Sequence, residues 1–503
     1  MKKVLKKIKI ALSNVWKKIK KIRINKKVLC VLIILLVVLC LVKSCSNKQI
    51  SYPVIFEDGD GDLYLMTTKA KSKDKAVKLA TKGQAGKVKY ANTTQRYVLF
   101  QKEESLFLYD SKKKEETRKI CNNVSSLNYF FTPDDKYVVV LDNNKNLKVY
   151  NYKEAVKIDS DVTGIKEKWI SEDNIIYEKD KKIYVRSIKP KKDDDRKFTD
   201  ATSYSVEFSK DGKYIIYINE VNELHRYNIK KDKDEKISNN VTSYTCDEKS
   251  CDKLIYVLDE GTKAIYYYDG KKDVRLAEEV AQALYVNVEK KQIIYSKANG
   301  NKFNVFYQKG TKDPAKIDEG LSGITKENVK VKGKEIYYRV ADKLKYAKIS
   351  GSRISRKLTV SDDVNSSLIE YKKGYAFVVN TDEHLNGDLY VAKGGKAKKI
   401  SENVFASNEF IKVNKKGTKI YFIRDLGDEG ELMYTKGGKP KLVDTKVHQF
   451  TYVKDNLIYI VKNYTSANDT YDLYRYTNKS VKIVNGVQNI ASIDKESTTY
   501  SEK

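Results

Sequence analysis

The sequence predicts an all-β protein, a β-propeller of about eleven four-stranded units divided between two tandem propellers, behind an N-terminal helical membrane anchor. Three observations predict this. A strand–turn–strand plan recurs about every forty residues from Val54 onward. An unbroken apolar run occupies 28–42, directly after a lysine-rich block. Finally, 38 Tyr and 41% hydrophobic residues against only 5 Pro in 503 residues provide a core, which excludes a collagen-like or Pro/Gly-rich disordered chain.

The N-terminal element concentrates the charge. The chain carries a formal +31, and residues 1–48 hold fourteen Lys or Arg and no acid, which leaves +17 for the remaining residues. Fifteen apolar residues at about 1.5 Å each span roughly 22 Å as a helix, short of the roughly 30 Å hydrocarbon core of a bilayer. Lys26, Lys27 and Lys43 can snorkel to make up the difference. Three readings fit: an uncleaved signal anchor, which is favoured; a lipoprotein signal with Cys45 as the lipidated residue of Val42-Lys43-Ser44-Cys45; and a cleaved signal. The basic block precedes the apolar run. Residues 1–27 are therefore expected in the cytoplasm and the bulk of the chain outside, as a single-pass plasma-membrane protein. Within 4–24, Val4, Leu5, Ile8, Leu12, Val15, Trp16, Ile19 and Ile22 form one helical stripe. Such a cationic helix suits an anionic membrane surface with Trp16 at headgroup depth, or serves simply as a topology signal. Membrane lipid is the nearer polyanion, so no nucleic-acid partner is expected.

The cysteines add one local expectation. Cys246 and Cys251 bracket four polar residues between two strand-like stretches. A hairpin-stapling disulfide, free thiols or a zinc half-site fit that spacing. The disulfide is favoured, because zinc needs two further ligands and the chain has only three His. Cys121 is then unpaired and reads as a small buried residue.

The repeats are aligned on their second strand. Val54, Val98, Val138, Ile175, Ile215, Leu254, Ile293, Ile336, Tyr375, Ile420 and Leu457 are separated by 37 to 45 residues. Two positions after ten of these anchors comes Tyr or Phe. A period near forty with four short strands is that of a propeller blade, whose faces are buried only by stacking on neighbours. Alternating β-branched and aromatic residues argue against helical repeats. Eleven units exceed an ordinary ring of four to eight blades. Two rings with a break near Gln282, 51–282 and 283–503, are therefore expected. The first unit, 51–83, lacks an opening strand, which residues near 489–493 are placed to supply.

The segments FTPDDKYVVVL (131–141) and FSKDGKYIIYI (208–218) resemble the Asp-Gly-Lys-Tyr repeats of TolB-type and related WD-repeat-like propellers. Residues 410–423 match in part and the other units in strand order only. The resemblance implies an extracytoplasmic β-propeller, and no particular activity.

Catalytic signatures are sparse. There is no GxSxG elbow, P-loop or HExxH, and the repeats consume nearly all of the chain beyond residue 50. His225, His384 and His448 fall in separate units, where each reads as structural. The acidic 57–62 segment (EDGDGD) reads as a hairpin turn with Gly59 and Gly61 at positive φ, or as a calcium loop lacking its bidentate acid. Runs such as KPKKDDDRK (189–197) read as solvated loops. No cofactor and no metal are expected. The function expected is a non-catalytic binding or scaffold module at the cell envelope, with an unknown protein or an anionic envelope polymer as partner. An envelope glycan- or peptide-processing enzyme with a central pocket, and a cell-envelope sensor, are the alternatives.

Overall fold

The computed structural model describes residues 54–491, except for short internal segments at 67–72, 92–95, 112–116, 125–126, 190–195, 199–204, 248, 365, 408 and 455–456. The basic block, the apolar run, Trp16 and Cys45 lie outside the described residues. Residues 52–503 form one compact unit, separate from 1–51. Among the described residues there are 42 strands, four short 3-10 turns and no α-helix.

The strands form seven separate four-stranded antiparallel sheets and one fourteen-stranded sheet. The larger sheet repeats the same plan, because two long strands each serve two neighbouring units. Lys441–Lys454 pairs backward through Lys441, Leu442 and Asp444 and forward through Phe450 and Tyr452. Ser480–Ile490 does the same, pairing first with Thr470–Tyr476 and then with Val54–Asp58. The opening strand missing from the first unit is thus supplied from the far end of the chain: Phe56 faces Ile490 and Glu57 faces Asn489.

All eleven anchor residues lie on the second strand of a four-stranded unit. Ten are buried and Leu457 is half-buried. Fourth strands are the outer edges. Arg353–Ser361 and Lys233–Ser238 have no buried residue, whereas Gly374–Val379 is buried throughout. Charged outer strands of this kind discourage edge-to-edge aggregation.

The recurring aromatic two residues after the anchor has a partner that the period alone does not reveal. In seven units it stacks on an aromatic ring directly opposite in register on the third strand. These pairs are Phe56–Tyr64, Phe100–Phe107, Tyr177–Tyr184, Tyr217–His225, Tyr256–Tyr266, Tyr295–Phe306 and Phe377–Tyr390, with centroids 5.0–5.9 Å apart. Direct cross-strand aromatic pairs are among the side-chain contacts that stabilise a sheet.

Neighbouring units are joined by cores and by a backbone stitch. Leu99 and Leu106 pack with Phe131 and Val140 of the next unit, and Tyr337 and Tyr346 pack with Tyr375 and Phe377. At Gln282 the expected division meets a shared core instead, where Leu276, Ala277 and Val280 pack with Val288, Ile293 and Tyr295. The first unit packs on both the second and the last: Phe56 and Leu65 share a cluster with Val98 and Phe100 and with Val461 and Leu473. The stitch lies where one unit passes to the next. A residue at positive φ (Asn123, Asp161, Asn240, Glu279, Asp363, Asn403, Lys446 or Gly486) precedes a buried Val. The amides of Val124, Val162, Val241, Val280 and Val364 donate back to the preceding unit at 2.7–3.0 Å. The carbonyls of Asn123, Asn240, Asp363 and Asn403 accept from the following unit at 2.6–3.2 Å.

Candidate functional site

Antiparallel pairing sends alternate loops to opposite ends of each unit. One end gathers the turns between strands one and two and between strands three and four. The other gathers the turns between strands two and three and the passages to the next unit. Bonds between neighbouring units keep the two ends in common. Asp211 N–H donates to the Lys249 carbonyl at the first end, and Asn143 N–H to the Asn123 carbonyl at the second.

At the first end the Asp-Gly-Lys-Tyr motif is spent on turn geometry. Ser209 Oγ donates to Asp211 Oδ1 at 2.8 Å and accepts the Tyr214 amide at 3.0 Å, while Gly212 sits at φ 68°. Thr132, Asp134 and Tyr137 repeat the pattern with Asp135 at φ 58°. Asn414 achieves it with one side-chain oxygen that accepts the amides of Thr418 and Lys419. These are side-chain mimics of backbone turns, and they commit the motif to folding.

The acidic 57–62 segment is a turn of the same kind at the second end. Asp58 Oδ1 accepts the amides of Asp60 and Asp62 at 3.1 and 2.9 Å, and Oδ2 accepts Lys73 Nζ at 2.7 Å. Asp142–Asn146, Asn219–Glu223 and Asp382–Asn386 use the same side-chain-to-amide bond. Gly61 takes φ 77°, as expected, but Gly59 does not. Gly59 instead donates to the Gly486 carbonyl at 3.0 Å, and a Cβ there would stand 3.0 Å from Thr470 Cγ2. Among the described residues no group of three or more His, Cys, Asp and Glu is placed to hold a metal.

Among the described residues a dense ionisable cluster surrounds His225. Its ring stacks on Tyr217 at 5.0 Å, with Nδ1 2.7 Å from Asp234 Oδ2 and Nε2 3.3 Å from Glu223 Oε2. Tyr217 Oη also donates to Asp234 Oδ2 at 2.9 Å. Burial disfavours the imidazolium, but Asp234 and Glu223 outweigh it and raise the His225 pKa above 6.5. Lys236, 2.5 Å from Glu223, with Asn219 and His225, holds Glu223 down at about 2. With both ring nitrogens engaged, His225 works as a charged clamp between strands. Next to it Arg226 is almost fully buried between the rings of Tyr214 and Tyr268, and bonds Glu235 at 2.8 Å and the Cys251 carbonyl at 3.3 Å. Cys251 is disulfide-bonded to Cys246, with Cα atoms 4.8 Å apart. Cys121 is free and buried, and burial pushes its thiol pKa up. His384 is exposed, and His448 stacks on Tyr471 at 4.2 Å, so the three histidines stay apart.

The two ends differ sharply in charge. Counted over the described residues between strands, leaving out the 73–75 turn whose Lys73 reaches back to Asp58, the first end carries 26 Lys and Arg against 13 Asp and Glu, a net +13. The second carries 5 against 23, a net −18. Exposed apolar side chains gather at the acidic end. Val221 is 67% exposed, Leu385 52%, Leu127 48% and Tyr464 44%, all in or beside its turns. Neither feature was anticipated from composition. The recurrence of an acid, Asn or Gly before a buried Val at seven of the passages is the signal that would have marked this end.

No protein-family model and no curated protein matches the chain. Among solved structures it is similar to the tricorn protease, at 17% identity and a TM-score of 0.21 over 78% of this chain and 44% of that one. It is also similar to Hsv2p of Kluyveromyces lactis, at 11% identity and a TM-score of 0.28 over 54% of this chain and 97% of that one. The chain thus spans less than half the length of the tricorn protease. The β-propeller-like description rests on the strand register and the inter-unit cores of this chain.

Proposed function

We propose that the chain is a membrane-anchored, extracytoplasmic β-propeller of eleven four-stranded units, which binds a partner protein without catalysing a reaction. The observation that carries the binding role is the acidic end, where exposed Val221, Leu385, Leu127 and Tyr464 stand among carboxylates. Apolar side chains rimmed by charge are a common form of protein docking surface. A partner with an apolar patch inside a basic rim fits it. Anchoring is supported by the apolar run at 28–42; among the described residues no helix is long and apolar enough to cross a membrane. A single circuit is favoured over two rings, because the cores continue through Gln282 and the last unit packs on the first.

Photo-crosslinking from positions 221 and 385 of the full chain in intact cells, with position 353 on an outer strand as control, tests the reading. Discrete adducts at 221 and 385 only, suppressed by added salt, are the expected result. Adducts equal at all three positions, or none, would remove the acidic end as the docking surface. Protease shaving of the same cells should digest the repeats from outside.

A further inference from the structure

We infer that the basic end of the repeats is a seat for an anionic lipid surface, so that the propeller lies on the membrane by this end and turns its acidic end outward. The inference rests on the anchored reading above and adds a direction to it. Three observations carry it. First, the net +13 of this end is dispersed around the units in short exposed turns: Lys290 and Lys291, Lys334, Lys372 and Lys373, Lys436 and Lys439, and Lys479. A spread of point charges suits a flat array of phosphates better than one compact anion. Second, the opposite end carries −18, so a negative surface attracts one end while it repels the other. Third, the chain enters at the basic end. Val54–Asp58 runs from there toward the 59–62 turn, so Val54, the first described residue after the apolar run in sequence, stands at the basic end. Only residues 43–53 intervene, and eleven extended residues reach at most about 40 Å.

The test uses the full chain reconstituted in vesicles of phosphatidylcholine alone or mixed with phosphatidylglycerol, with lysine acylation read by mass spectrometry. In the anionic vesicles Lys290, Lys334, Lys373, Lys436 and Lys439 should lose reactivity several-fold, while Lys145 and Lys326 at the acidic end stay unchanged. Raising salt from about 0.1 M to about 1 M shortens the screening length from about 10 Å to about 3 Å and should restore reactivity. The variant K290E/K373E/K436E/K439E should lose protection at Lys334 and Lys479 while keeping the circular dichroism and melting temperature of the parent. Equal reactivity at both ends in anionic vesicles would overturn the inference. Protection that is the same in neutral vesicles would do so too, since the tether alone then explains it. Protection that appears only on adding a soluble phosphate polymer would assign the end to that polymer and overturn the lipid seat. Co-flotation with neutral vesicles reports the anchor separately. A chain that fails to float refutes the anchored reading, whereas one that floats without end-selective protection refutes only the lipid seat.

Discussion

His225 is half of a cross-strand ring pair and also the centre of an ion cluster, and the second role came from partners brought in by pairing. Its place in the repeat was legible, since it stands where other units carry Tyr or Phe opposite the buried aromatic. Its charge state was not, because Glu223 and Asp234 meet it only once the hairpins form. The consequence is a pH dependence of defined sign. The His225 pKa is raised on folding, so its contribution is complete below about 6.5 and is lost as pH rises through the raised value. The Asp234 pKa is lowered, with bonds from His225 and Tyr217 outweighing burial. Its contribution is therefore complete above about 3.8 and is lost as pH falls through the lowered value. The melting temperature should accordingly decline as pH rises above about 6.5. In His225→Phe, which keeps the ring on Tyr217 and removes the charge, that slope should flatten. An unchanged slope would show that the clamp is unimportant for stability.

At the scale of the strand and turn, two kinds of local signal had different visibility. The Asp-Gly turn and the buried aromatic could be read directly, because tight hairpins and half-buried strands restrict residue choice within a few positions. The stitch between units was overlooked. Asn240 and Asn403 look like ordinary loop residues until the positive φ and the bonds to two neighbouring units are seen together. Asn240 at φ 54° places the Val241 amide on the Asn222 carbonyl at 2.8 Å. Asn240→Ala should lower stability by roughly 1–2 kcal/mol, the cost of holding a Cβ-bearing residue without a compensating side chain in that region. Asn240→Gly should be close to neutral. Urea titration of the two variants checks this, and equal losses would deny that backbone conformation is the cause.

Across the whole molecule the closing element is the last strand. Ser480–Ile490 finishes one unit with its first half and opens the unit at Val54–Asp58 with its second. Val484, Val487 and Ile490 are buried in the cluster that holds Phe56 and Leu65. Burying a side chain of this size contributes about 1.5–3 kcal/mol. Three of them are a large part of the roughly 5–15 kcal/mol that stabilises a folded domain. A chain ending at 479 should therefore melt well below the full chain, with the 54–80 sheet opening first in hydrogen exchange, whereas one ending at 492 should melt unchanged. Equal melting of both would mean that the ends are not a structural junction.

The sequence alone determined the strand character, the forty-residue period, the second-strand core and the need for an opening strand from elsewhere. All of these follow from local patterns of side-chain size and turn chemistry. It also showed that a basic block and an apolar run precede the repeats, and that the rest of the chain carries +17. Only the tertiary structure decided that, within this modest excess, the turns separate into two ends of opposite charge. The reason is geometric: antiparallel strands send alternate loops to opposite ends, so charges adjacent in sequence separate in space while those forty residues apart assemble on one surface.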